Sequence, residues 1–258
     1  GWEQARARIQ EVRNVQHDFV MEMAEDVIEL EINVEEIQNR SLQLRMIPAS
    51  TLFDEFPRMV RDLSRDLGKE IALEVIGQDT ELDKRLLEQL RGPLIHIIRN
   101  ACDHGIETPE AREAAGKPRR GAVQIHAYHQ GSLVIVEVSD DGKGMDADRI
   151  RETAVSRGLV DLRAADEMTE EEVHYLTLRP GFSTSEIITD VSGRGVGMDV
   201  VKTNVEALRG DLNISSGRGA GTTISLQLPL TVSIVEALLV SQGGEIYAIP
   251  LSAVDEVV

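Results

Sequence analysis

The chain is short of cysteine, of basic residues and of long apolar runs, and each shortage closes off a class of protein. Cys102 is the single cysteine among 258 residues. An internal disulfide is impossible, and the reading is a protein of the reducing cytoplasm. Cys102 falls beside the apolar stripe of a predicted helix, as a small core residue rather than a redox centre. Lysine and arginine number 27 against 45 acidic residues, a net charge of −18. That balance argues against nucleic acid and against an anionic membrane surface as partners. No apolar run is long enough to span a bilayer and no signal peptide is visible, so no membrane insertion is expected. Gly1 stands where an initiating Met would, which leads to the expectation of a trimmed chain.

Proline and glycine are missing altogether from Trp2 to Leu44. Charges run throughout that stretch, and Val20, Met23, Val27, Leu30, Val34 and Ile37 follow helical spacing. It reads as one long helix, or two that join smoothly, and so long a stripe needs a partner to cover it. Pro48 ends the element. A helix from about Leu52 to Leu67 is predicted next, closed by Gly68, and then a strand over Glu70–Ile76. Thr108 caps a short helix with Pro109 at its first position. Ala122–Tyr128 and Leu133–Ser139 form a hairpin around Gln130-Gly131. Helices follow over Asp146–Arg157, from the capping box Thr169–Glu172, and over Met198–Leu208. Leu212–Ser215 and Thr222–Leu228 make a closing hairpin. The order predicts an α+β fold, a sandwich of a mixed sheet with helices on one face, preceded by a long helix. A new strand pattern begins at Thr231 and passes through Ile234, Ala237, Leu239, Val240 and Gly243-Gly244 to Ile246–Pro250.

The most informative stretch is Pro93 to Glu107. Read as a helix, it buries Leu94, Ile97, Ile98 and Ala101 on one face. His96, Arg99, Asn100 and Asp103 share the opposite face, so a base, a cation, an amide and a carboxylate are presented together. Three glycine-rich segments follow: Asp140-Asp141-Gly142-Lys143-Gly144, Gly193-Arg194-Gly195-Val196-Gly197 and Gly219-Ala220-Gly221-Thr222. Each alone is ordinary turn punctuation. In this order, after an Asn-bearing helix, they resemble the N, G1, G2 and G3 boxes of the Bergerat-type ATP-binding fold of histidine kinases, Hsp90, gyrase and MutL. Phe182, in Pro180-Gly181-Phe182-Ser183-Thr184, resembles the F box of the kinase branch. The longer runs Arg99–Glu107, Gly181–Thr184 and Ser192–Lys202 are similar to the chemotaxis-type histidine kinases of the CheA family. So are Leu44–Pro48 and Phe56–Leu63 upstream, and the resemblance covers roughly residues 40 to 258.

The residues then divide by chemistry. Asp140 ends a strand of alternating apolar residues and so faces a pocket, where its carboxylate can accept a hydrogen bond from the adenine 6-amino group and repel the guanine carbonyl. Gly142 and Gly144 let backbone approach the purine, and Asp141 is a turn residue. Gly193, Gly195 and Gly197 precede a helix whose free N–H groups and dipole suit phosphate oxygens. The nucleotide site also takes in Gly181, Phe182, Ser183, Thr184, Arg194, Val196 and Met198, and Asp146–Ser192 reads as a mobile lid. Thr222 hydrogen-bonds near the adenine or the phosphates, beside Gly219 and Gly221, which shape the turn. Asn100 offers its amide oxygen to Mg²⁺, a neutral ligand for a cation already balanced by triphosphate. Asp103 and His104 organise the loop after the helix, with His104 approaching the phosphates. Arg99 either pairs with Asp103 or holds a phosphate, and Arg194 and Lys202 are phosphate contacts or solvated. The resembled ATPases carry a Glu four residues before the Asn. Here His96 takes that place, which suits transfer to histidine rather than to water, and the resemblance puts it near the γ-phosphate. His96 and Asn100 are the candidate catalytic pair.

The resemblance implies a protein-histidine kinase that passes the ATP γ-phosphoryl, with Mg²⁺, to a histidine on a separate phosphotransfer domain. It implies a response regulator, a CheW-like adaptor, a chemoreceptor and a homodimer as partners. The domain reading is a dimerisation segment over residues 1–47, with room for only one of the family's two helices. The catalytic domain follows over 48–229, and 230–258 open a CheW-like β domain that is left unfinished. The alternatives are a water-activating ATPase and a scaffold that binds nucleotide and docks receptor and adaptor. His17-Asp18 is the kind of pair that carries phosphate in sensor kinases, but its usual flanking Arg and Pro-Leu are missing, so His17 reads as a solvent-facing helical residue.

Overall fold

The computed structural model describes residues 2, 21–23, 26–27, 29–30, 32–34, 36–37, 40, 43–180, 182, 197–230, 237–242 and 245–250. The chain divides into two compact units, Gly1–Met46 and Ile47–Val258. In the first, the described residues up to Arg40 are helical. Val27, Leu30, Val34 and Ile37 lie exposed there, so the apolar stripe is formed and open to solvent. His17 and Val20 lie outside the described residues. No helix among the described residues is long and apolar enough to cross a membrane.

The second unit is built on a five-stranded sheet. Its strands are β1 (Ile71–Ile76), β2 (Gly121–Gln130), β3 (Leu133–Asp140), β4 (Asp211–Gly217) and β5 (Gly221–Pro229), in the spatial order β1-β2-β3-β5-β4. β1 runs parallel to β2 and the other neighbours are antiparallel, so the sheet is mixed as predicted. Register aligns one apolar face. Ile125 sits opposite Val138, Val138 opposite Ile224, and Ile224 opposite Ile214. These residues, with Val123, Val136, Leu212 and Leu226, are buried. The opposite face carries Gln124, His126, Tyr128, Glu137, Ser139 and Thr223, linked by bonds such as Ser139–Thr223 at 2.9 Å. The period of two in each strand thus decides which side the helices cover.

Helices α1 (Ser50–Phe53), α2 (Phe56–Asp66) and α3 (Lys84–Asn100) come early in the unit. The single helix expected over Leu52–Leu67 is two helices. Pro57 is tolerated only in a first turn, so a new helix has to start at Phe56. α3 begins nine residues before Pro93, with Asp83 as its N-cap accepting from the Arg85 N–H at 2.8 Å. Pro93 is inside the helix and buried. The stripe Leu86, Leu90, Leu94, Ile97 runs straight through it, and burial of that stripe outweighs the lost backbone bond. The predicted faces hold: Leu94, Ile97, Ile98 and Ala101 are buried, while His96 and Asn100 are half-buried and Arg99 and Asp103 exposed.

α4 (Pro109–Ala114) is capped by Thr108. Between the hairpins lie α5 (Ala147–Ser156), α6 (Leu162–Glu167) and α7 (Glu170–Tyr175), the last opened by the Thr169–Glu172 capping box. This part of the segment read as a lid buries Ala154, Ala165, Val173 and Leu176. It is tied to the sheet by the Tyr175 hydroxyl donating to Asn213 at 2.6 Å, so residues 147–175 are packed structure. α8 (Met198–Ala207) lies against α3, and Val201 and Val205 join the core. β6 (Ala237–Gln242) and β7 (Glu245–Pro250) form a separate antiparallel pair. Thr231, Ile234, Gly243 and Gly244 lie outside the described residues.

Candidate functional site

Asp140 continues the alternation Val134, Val136, Val138, so its side chain takes the next core-facing position at the end of β3, opposite Val123 and Thr222. A carboxylate there is poorly hydrated. Burial pushes its carboxyl up to about 6, against the Gly142 and Thr222 amides, which favour the charged form; the neighbouring Asp141 and Glu107 charges push it higher. The Gly142 N–H donates to Asp140 Oδ1 at 2.9 Å.

Three of the predicted sequence segments meet at this carboxylate. After Asn100 the helix widens into a π turn, Ala101–Gly105, closed by Ile106 N–H to the Ala101 carbonyl at 2.8 Å. A Cβ on Gly105 would lie 3.0 Å from the Asp140 carboxyl. The Lys143 N–H donates to the Gly105 carbonyl at 3.0 Å and the Gly219 N–H to the Lys143 carbonyl at 2.6 Å. Ser216 Oγ stands 2.9 Å from Thr222 Oγ1 and accepts from the Met145 N–H at 2.9 Å. Three of these glycines are wedged against neighbouring backbone. A Cβ on Gly142 would stand 2.1 Å from the Gly105 carbonyl oxygen, and one on Gly144 2.0 Å from that of Gly217. Gly221, at φ +90°, would stand 1.9 Å from that of Asp140. These glycines permit close approach of protein backbone to protein backbone, and Gly221 does more than shape a turn.

One turn back along α3, Asn100 Nδ2 and His96 Nε2 are 2.9 Å apart. Burial holds the His96 pKa below the ordinary histidine range, with Arg99 and His104 acting in the same direction and Asp199 against them. The imidazole is therefore neutral at pH 7 and its Nε2 accepts from the amide, which puts the ring proton on Nδ1. The amide oxygen of Asn100 has no protein hydrogen bond among the described residues. Asp199 belongs to the first turn of α8, whose N-cap is Gly197, and Met198 packs against the core.

Other predictions fall differently. Asp103 and His104 are exposed, with His104 Nε2 3.8 Å from Asp103 Oδ2. Arg99 forms no ion pair with Asp103, because the π turn breaks the i, i+4 geometry. It lines a surface concavity with Glu55, Asp62 and Asp66 instead. Lys202, half-buried, pairs with the exposed Glu206 at 3.6 Å. Phe182 donates its N–H to the Arg179 carbonyl at 3.0 Å and accepts from Arg157 at 2.8 Å. Gly181, Ser183, Thr184, Gly193, Arg194, Gly195 and Val196 lie outside the described residues. His174, on α7, is buried.

Sequence reasoning missed the cations behind the site. The Lys69 ammonium donates to the Cys102 and Asp103 carbonyls at 2.9 and 2.5 Å, holding the π turn. Arg112 is completely buried and Lys117 half-buried. Asp141, read as a turn residue, is bound by Arg112 at 2.7 Å. The available signal was the carboxylate doublet Asp140-Asp141 at a strand end, which needs cations nearby.

Residues 89–232 match the family described as histidine kinase-, DNA gyrase B- and HSP90-like ATPases. The chain belongs to that family. It is 48% identical over 240 residues to the sensor histidine kinase CheAY of Helicobacter pylori, covering 93% of this chain and 30% of that protein. It is 41% identical to the chemotaxis protein CheA of Bacillus subtilis, over 97% of this chain and 37% of that protein. For the CheA of Salmonella typhimurium the identity is 44%, over 96% of this chain and 36% of that protein. The chain thus spans about a third of the length of these relatives.

Proposed function

We propose that this chain is the ATP-binding core of a chemotaxis-type protein-histidine kinase, passing the ATP γ-phosphoryl to an imidazole on a separate phosphotransfer domain. The observation that carries the reading is His96, hydrogen-bonded to Asn100, in a chain similar to CheA proteins along nearly its whole length. The bond broken joins the γ-phosphorus to its bridging oxygen, the bond formed is phosphorus to ring nitrogen, and ADP leaves. A neutral His96 can take up the proton that the acceptor ring releases. Asp140 accepts from the adenine amino group. Gly197 and the start of α8 lie at the phosphate end, and Thr222 stands beside Asp140.

The donor set fits Mg²⁺. No group of three or more His, Cys, Asp or Glu side chains among the described residues could hold a metal, but an ion carried by triphosphate needs only a neutral oxygen, which Asn100 supplies. When bound, the metal neutralises charge on the phosphates; positioning and charge neutralisation account for most of the catalysis. Residues 1–47 are proposed as a dimerisation segment, 48–229 as the catalytic domain and 230–258 as the start of a CheW-like domain. The partners are a phosphotransfer domain, a response regulator, an adaptor and a chemoreceptor, in a cytoplasmic homodimer.

Incubation with γ-labelled ATP, with and without a His-bearing phosphotransfer domain, tests the reading. An acid-labile, base-stable label on the added domain alone is expected. Label on this chain by itself, lost in His17→Gln, would make it a self-contained sensor-type kinase. Release of free phosphate in place of transfer would make it a water-activating ATPase.

A further inference from the structure

Arg112 and Lys117 close the space behind the Asp140–Gly144 turn. The Arg112 guanidinium is fully buried. It donates to the Pro118 carbonyl at 2.7 Å, to Glu107 Oε2 at 3.1 Å, to the Asp141 carbonyl at 3.2 Å and to Asp141 Oδ2 at 2.7 Å. The Lys117 ammonium donates to Glu107 Oε1 at 2.9 Å and to the carbonyls of Asp141 and Gly142 at 3.0 and 2.7 Å. Two cations therefore grip the Asp141 carbonyl, while Asp141 Oδ1 accepts from the Ala122 N–H at 2.8 Å.

The geometry of one peptide plane connects this grip to Asp140. The Asp141 carbonyl and the Gly142 N–H belong to the same trans peptide unit and point in opposite directions. With the carbonyl drawn back into the cations, the N–H is directed forward, where it meets Asp140 Oδ1 at 2.9 Å. That bond fixes one carboxylate oxygen and with it the orientation of the other. Glycine at 142 is what lets the plane take this position, since a Cβ there would collide with the Gly105 carbonyl. The acids Glu107 and Asp141 balance the two cations, so the cluster is satisfied within the fold.

We propose that Arg112 and Lys117 are positioning residues for base recognition, holding the 141–142 peptide so that Asp140 presents a fixed acceptor to the nucleobase. The inference rests on the reading of Asp140 as the adenine acceptor. It assigns base selectivity in part to side chains on the far side of the turn, which touch no nucleotide.

The test uses Lys117→Met, which keeps the chain length and removes the donors, with Lys117→Arg as the conservative variant. Affinities for ATP, GTP and inorganic tripolyphosphate are measured by calorimetry, beside a melting curve. A positioning role predicts about a tenfold loss of ATP affinity, comparable to one charge-assisted hydrogen bond. The ATP preference over GTP should fall, tripolyphosphate binding should stay unchanged, and Lys117→Arg should recover most of the loss. A merely structural role would lower the melting temperature with the ATP-to-GTP ratio intact, and that result overturns the proposal. Should Lys117→Met not fold, Lys117→Gln, too short to reach the Asp141 and Gly142 carbonyls but polar at this half-buried position, is read in the same assay with the same two outcomes. Asp140→Asn separates the inferences. If it leaves the ATP-to-GTP ratio unchanged, the adenine reading fails; if it alters the ratio while Lys117→Met does not, only the positioning role fails.

Discussion

The two ends of the candidate site are built differently. At the Asp140 end the carboxyl is met by a backbone N–H, wedged against Gly105 and backed by the Arg112–Lys117 cluster. At the α3 end His96 and Asn100 are bonded to each other, on a helix face the core does not cover. The first end is held from beside and behind by the fold, as the proposed recognition of a rigid flat base would need. The second presents a neutral imidazole and an amide whose oxygen has no protein hydrogen bond among the described residues, as the proposed meeting with phosphate, metal and an incoming acceptor would need. Pre-organisation at one end and incompleteness at the other are what the proposed phosphoryl transfer would need.

The largest effect should come at the incomplete end. Asn100→Ala and Asn100→Asp are expected to lower Mg²⁺-dependent transfer by about a hundredfold or more, the scale of losing a group that acts mainly in the transition state. Rates measured against Mg²⁺ concentration check this. A variant with normal rate and normal metal dependence would remove Asn100 from the metal site.

At the built end, Asp140→Asn should weaken ATP binding by about 1.5–3 kcal/mol through loss of a charged hydrogen bond in a partly dry site. It should also narrow the preference over GTP. Unchanged ATP affinity by calorimetry would dissolve the distinction between the two ends.

The same residue gives a smaller effect on stability. Its folded pKa of about 6 lies above the ordinary carboxylate value. The folded chain then binds more protons than the unfolded chain, so stability is lost as pH rises through about 6. Without ligand, Asp140→Asn should therefore melt higher than the parent at pH 7.5, by about 5 °C, and the two should melt alike near pH 3. In the parent, ATP affinity should fall as pH drops below about 6. A ligand-free variant less stable at pH 7.5 would mean that the carboxylate is well solvated.

The smallest effect concerns Cys102. Its thiol is buried and pushed up to about 11 by that burial, with Lys69 opposing. The native chain should resist iodoacetamide at pH 8 while the denatured chain reacts quickly. Rapid native labelling would show that the π turn opens.

Legibility in the sequence followed the range of the interactions. The alternation Val134–Val136–Val138 carried the register to Asp140, and the i, i+3, i+4 spacing of Leu94, Ile97 and Ile98 separated the two faces of α3, because both are local patterns. The start of α3 was hidden because Pro93 is a common first-turn residue, and only its burial in a longer stripe shows that it sits mid-helix. The π turn gave no signal, and with it the failure of Arg99 to reach Asp103. Arg112 and Lys117 were illegible because their partner Asp141 lies 29 and 24 residues away, brought near by strand pairing. Gly142 and Gly144 were marked for close approach to a purine, and their packing against backbone from Gly105 and Gly217 gave no local signal.

The most direct test of the division between the two ends is His96→Ala, measured for ATP affinity by calorimetry and for single-turnover transfer to an added phosphotransfer domain. ATP affinity should stay within about twofold of the parent while the transfer rate falls by about a hundredfold, the loss of a general base. Lost affinity with an unchanged transfer rate would contradict that division.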